Sequence, residues 1–113
     1  MITVHGLKNC DSCRKARRWL DARGSAHDFV DVRESTPDST MLARWLDAVG
    51  ADALINRRST TWRGLDDATR GEILDDPAKQ LVAHPTLIKR PVLETATAVT
   101  VGFDADRWAA LID

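Results

Sequence analysis

Lys8 to Leu20 reads KNCDSCRKARRWL and holds both cysteines of the 113-residue chain, Cys10 and Cys13. Four readings compete for such a pair: a disulfide staple, half of a metal site, core packing, or a reactive thiol. A staple closing so short a loop would restrain the unfolded chain little. One Cys pair is half a zinc site, and His5, His27 and His84 show no ligand spacing, so no metal is expected. The flanking pattern separates the remaining two. MITVH, Met1 to His5, alternates and is β-branched, and Gly6 then reads as a turn. From Asp11 the period changes: Cys13, Ala16, Trp19 and Leu20 form a helical stripe closed by Gly24. Cys10 therefore falls at the N-terminal end of a helix, where unpaired amides and the dipole favour a thiolate. Cys13, on the stripe, is expected to be sheltered. An exposed Cys10 would attack, and Cys13 would resolve the mixed disulfide. Lys8, Arg14 and Lys15 add positive charge around the pair, and Asp11 opposes them.

Downstream, AHDFVDV (26–32) reads as a second strand, so the chain opens as a βαβ unit with a right-handed crossover. Thr36-Pro37-Asp38 predicts a helix start with Thr36 as cap and Pro37 at the first helical position. Met41, Leu42, Trp45, Leu46 and Val49 give its apolar stripe, ended by Gly50. Further helices are predicted over 65–74 and from Asp76-Pro77 to His84. The strand period returns in VLET (92–95) and AVTV (98–101), an antiparallel hairpin whose turn lacks Gly and Asn. A last helix is predicted over 105–112. The expected fold is α/β and thioredoxin-like: βαβ, a helical insert over about 37–85, then ββα, with a mixed four-stranded sheet and flanking helices in one domain, 1–113.

Bulk properties narrow the function. The chain is 43% apolar and 29% charged, with net charge −1, a soluble globular composition without a footprint for nucleic acid. The apolar run from Trp108 to Ile112 is far below the roughly 20 residues of a membrane span. MITVHGLKNC lacks the charged and apolar regions of a secretory leader, so the expected location is the cytoplasm, where a permanent disulfide is disfavoured. The basic run Arg14 to Arg18 reads as a solvated helix face. Trp19 and Trp45 read as core; Trp62, beside Thr60 and Thr61, suits either a cleft wall or packing.

KNCDSCRKARRWL, NRRSTTWRGLDD and LIKRPVLE, in that order and spacing, resemble the ArsC/Spx family of thioredoxin-fold proteins over essentially the whole chain. HGLKNCD, NRRSTTWR and VGFD are most similar to its YffB-like branch of thiol reductases. The resemblance implies that Cys10 is the nucleophile. Cys13 falls where arsenate reductases of the family carry serine and Spx regulators carry a second redox-switch cysteine. Arg90 matches an arginine that contacts the oxyanion in arsenate reductases, and Pro91 matches the family's cis-proline. Lys8 and Asn9 lead into the nucleophile and join the expected anion-binding set with Arg57 and Arg58. Asn56 stands in register with a second oxyanion arginine, with Arg57 one position on, and Val101-Gly102-Phe103 stands where a third arginine belongs. Two departures out of three weaken the case for arsenate, whose charge calls for several donors at once.

The expected activity is thus a thiol-disulfide oxidoreductase with Cys10 as nucleophile and glutathione as co-substrate. No cofactor is expected to be bound, glutaredoxin is a candidate partner, and neither nucleic acid nor membrane is expected. Two alternatives stand beside it. One is an arsenate reductase coupled to glutathione and glutaredoxin; the other is a Spx-like regulator that binds RNA polymerase and uses the cysteines as a switch.

Overall fold

β-Branched residues at the start of the chain form the inner strand of a sheet in the computed structural model, which describes residues 2–112. Met1, expected in the first strand, and Asp113 lie outside the described residues. The chain divides into two compact units: residues up to Ser35 together with those from Arg90 onward, and Thr36–Lys89.

The first unit contains β1 (Ile2–Gly6), α1 (Asp11–Ala22), β2 (His27–Asp31), β3 (Val92–Glu94), β4 (Val99–Val101) and α7 (Ala105–Ile112). The strands run in the order β2-β1-β3-β4. β1 pairs parallel with β2, from Ile2 opposite His27 to Gly6 opposite Asp31. β3 is antiparallel to both β1 and β4. This is the expected mixed four-stranded sheet, with boundaries a residue shorter at most ends. The hairpin turn without glycine is closed by Thr95, whose hydroxyl accepts from the amides of Thr97 at 3.3 Å and Ala98 at 3.0 Å. A threonine side chain thus supplies the turn chemistry that Gly or Asn usually provides.

Val4 and Leu93 face Ala16 and Leu20 of α1 and Trp108 of α7, all fully buried. Each large side chain so buried stabilises the fold by about 1.5–3 kcal/mol. Trp19, Phe103 and Trp108 close the cluster with three edge-to-face contacts, at 5.9, 6.2 and 5.0 Å between ring centroids. Two of the basic residues of α1 meet partners within the first unit. Arg14 pairs with Asp11, and Arg17 lies 4.2 Å from the Phe29 ring. At the C-terminal end, Gly24 takes φ +68°, and the amide of Ser25 bonds to the Leu20 carbonyl at 3.0 Å. Only a residue at ease in the left-handed region closes the helix this way.

The second unit comprises α2 (Ser39–Val49), α3 (Ala51–Leu54), α4 (Thr60–Arg63), α5 (Asp67–Asp75), α6 (Pro77–Ala83) and a 3₁₀ turn at Pro85–Leu87. The start of α2 corrects the sequence reading. Asp38, not Thr36, is the cap, its carboxylate accepting from the Met41 amide at 2.8 Å, so Pro37 precedes the helix. Asp66 caps α5 through Thr69 at 2.8 Å, which moves its start from Leu65 to Asp67. Such caps contribute about 1 kcal/mol each. The NRRSTTWR stretch contains the single turn α4, capped by Ser59 on the Trp62 amide at 3.1 Å. α6 packs on α2 and α5, and Leu42, Trp45, Leu54, Ile73, Leu81 and Leu87 are fully buried.

Candidate active site

β1 delivers the chain to a tight turn, in which the Cys10 amide bonds to the Leu7 carbonyl at 3.2 Å. Cys10 is the N-cap of α1, with extended backbone at φ −93° and ψ 127°. Its carbonyl accepts the first helical hydrogen bond, from the Arg14 amide at 2.9 Å. Its sulfur is half-buried, whereas Cys13, one turn on, is fully buried. Both are free thiols.

Burial opposes a charge on the Cys10 sulfur, but several donors outweigh it. They are the Cys13 amide, the Cys13 thiol, and the Arg90 guanidinium through a hydrogen bond and its charge; together they hold Cys10 below the usual thiol value. The amide does not make a full capping bond; it acts as one of several partial stabilisers. For Cys13, burial dominates and pushes the thiol up to about 11. The Leu7 amide favours its thiolate, while the neighbouring Cys10 disfavours it. The pair therefore holds one proton in preference to none, on the inner sulfur.

Arg90 stands at the entrance to β3, and the Arg90–Pro91 peptide bond is cis, the geometry that the resemblance implies. Beside Cys10 opens a hollow of about 200 Å³, lined by Leu7, Lys8, Asn9, Asp31, Arg33 and Arg90. Lys8, Arg33 and Arg90 outnumber Asp31, so the hollow presents net positive charge. The Lys8 ammonium binds the Glu34 carboxylate at 2.8 Å. Asn9 is exposed.

Asp31 and Arg33 were not among the residues singled out in the sequence. Asp31 accepts from the amides of Lys8 at 3.1 Å and Arg33 at 2.9 Å. Burial raises its carboxyl, and the amides of Arg33, Lys8 and Glu34 together bring it below the usual carboxylate range. It thereby ties the turn before Cys10 to the turn after β2. The signal was the parallel pairing itself: Gly6 opposite Asp31 places both strand ends at one edge, where ligands of α/β sheets gather.

Arg57 and Arg58 belong to the second unit. There they line a groove of about 180 Å³ with Asp52, Asn56 and Lys89. Arg57 is bound to Asp52 at 2.7 Å, and Arg58 is exposed. Trp62 is buried, with 8% of its surface exposed, so it packs and does not wall a cleft.

The ArsC family profile matches residues 5–111. An uncharacterized protein of Haemophilus influenzae is 38% identical over 111 residues, 97% of each chain. A solved structure described as the YffB protein superposes with a TM-score of 0.93 over the whole of both chains, at 37% identity. The global transcriptional regulator Spx 2 of Bacillus anthracis is 26% identical over 106 residues, covering 92% of this chain and 81% of its own. With its mixed four-stranded sheet, flanking helices and thioredoxin-like fold, the chain belongs to the ArsC family.

Proposed function

We propose that the protein is a thiol-disulfide oxidoreductase of the reducing cytoplasm that uses Cys10 as nucleophile and glutathione as co-substrate. The observation that carries this reading is the Cys10 sulfur at the N-terminus of α1, its thiolate favoured by Cys13 and Arg90. A thiolate, not a thiol, attacks disulfide sulfur. In the first step Cys10 thiolate attacks a disulfide R–S–S–R′, forming Cys10–S–S–R and releasing R′–S⁻, which takes a proton from solvent. In the second, Cys13, deprotonated as it attacks, forms the Cys10–Cys13 disulfide and releases R–S⁻. Two glutathione thiols then reduce that disulfide and become oxidised glutathione. Glutathione can also replace Cys13 in the second step, and glutaredoxin is a candidate partner for the third.

The positive hollow suits a substrate whose sulfur is flanked by carboxylates, as in a glutathione mixed disulfide. Arg90 is proposed to hold one such group, with Lys8 and Asn9 beside it in the same hollow; Arg57 and Arg58 are proposed as anion-binding residues of the groove within the second unit. Turnover of a glutathionylated protein substrate should fall on the order of 10³-fold or more in Cys10→Ser. Retention of turnover in that variant overturns the reading. Arsenate-dependent oxidation of glutathione, with no turnover of disulfides, would replace it with arsenate reduction.

A second reading rests on the similarity to Spx 2: a regulator whose Cys10–Cys13 disulfide switches binding to RNA polymerase. Redox-dependent capture of purified polymerase, without turnover of any disulfide, would select it.

A further inference from the structure

Gly6 reads from sequence as the turn that ends the first strand, yet it is the last residue of β1. It pairs with Asp31, and its carbonyl accepts from the Val32 amide at 2.9 Å. Its backbone is not in the left-handed region, so no conformational demand calls for glycine. Space does. A methyl group on Gly6 would collide with the Cys13 sulfur, whereas the next atoms, Cys13 Cβ at 3.5 Å and Phe29 Cε1 at 3.6 Å, would be in ordinary contact. One sulfur atom therefore decides what this position tolerates.

We infer that Gly6 is a positioning residue for the cysteine pair: its missing side chain forms the niche that seats the Cys13 sulfur within hydrogen-bonding reach of Cys10. Filling the niche uncouples the two sulfurs. The inference deepens the proposed redox function and rests on it, but the coupling of the sulfurs is measurable without any turnover. Cys13 is fully buried, so a displaced sulfur has to move into packed atoms or away from Cys10. In either case Cys10 loses a donor to its thiolate, and the resolving attack loses its alignment.

Four fully reduced proteins supply the test: the natural chain, Gly6→Ala, Cys13→Ala and the double variant. Alkylation of Cys10 by iodoacetamide is followed across pH by peptide mass spectrometry. Cys13→Ala is expected to move the midpoint of alkylation upward, lowering the ionisation constant of Cys10 by about fivefold, the worth of one hydrogen bond to the thiolate. Gly6→Ala should move the midpoint upward comparably. The double variant should match Cys13→Ala alone, because with the sulfur gone the methyl group meets only ordinary contacts. An unchanged midpoint in Gly6→Ala, or additive losses in the double variant, overturns the inference. Should Gly6→Ala fail to fold, recovery of folding in the double variant supports the niche, and failure of both overturns it. Absence of disulfide turnover in the natural chain, with this pattern intact, would instead sink the proposed reaction and leave the niche standing.

Discussion

Cys10 and Cys13 share one helical turn, one neighbouring arginine and each other, yet their surroundings act in opposite directions. At Cys10, half-buried at the cap, donors outweigh burial and the thiolate is favoured. At Cys13, fully buried under Gly6, burial outweighs the Leu7 amide and Arg90, and the thiol keeps its proton. The difference teaches that a helix terminus does not by itself activate a thiol. Three residues deeper along the same stripe, desolvation reverses the sign. In the proposed reaction this contrast is what would divide the attacking from the resolving sulfur.

Three measurements can break or sharpen this contrast. The largest effect concerns stability at alkaline pH. Cys13 is raised from 9.0 to about 11 on folding, so the unfolded chain releases its proton first. Its contribution to stability is complete below the unfolded value and is lost as pH rises through the folded one. Denaturant unfolding from pH 8 to 11.5 should show a decline on the order of 2 kcal/mol attributable to this thiol. The decline should be absent from Cys13→Ala; equal curves for both proteins would mean that the two sulfurs do not differ as described. Cys10 has the opposite sign: its contribution is present above the unfolded value and fades as pH falls through the folded one.

Next in size, Arg90→Met removes the guanidinium that bonds the Cys10 sulfur. kcat/KM for a glutathione mixed disulfide should fall on the order of tenfold. The rising limb of its pH profile should move to higher pH, since the thiolate has lost a hydrogen bond and a charge. A lower rate with an unmoved profile would make Arg90 a binding residue only. The smallest effect is expected at Arg57. Its guanidinium already holds Asp52 at 2.7 Å, and exposed pairs of this kind are worth under about 1 kcal/mol. Arg57→Ala should raise KM for the same substrate by no more than about threefold. A loss exceeding that of Arg90→Met would shift the weight of anion recognition to the second unit.

Much of the first unit was legible because its patterns are local. The alternation of MITVH, the stripe from Cys13 to Leu20 and the VLET–AVTV hairpin each carry their own period. The second unit was harder: α3 and α4 have four residues each, too short for a period to register. The start of α2 was misplaced because Thr36, Pro37 and Asp38 all favour a helix N-terminus, and only the bond to Met41 selects among them.

What the order of residues determined alone is the placement of one cysteine at a helix cap and its partner on the buried stripe, since cap and stripe follow from neighbours within a turn. The sheet order, the role of Asp31 and the meaning of Gly6 came from tertiary structure. They depend on atoms 7 to 91 positions apart in sequence meeting across paired strands or beneath a helix. Packing at close range is a relation between distant residues, and no local period records it.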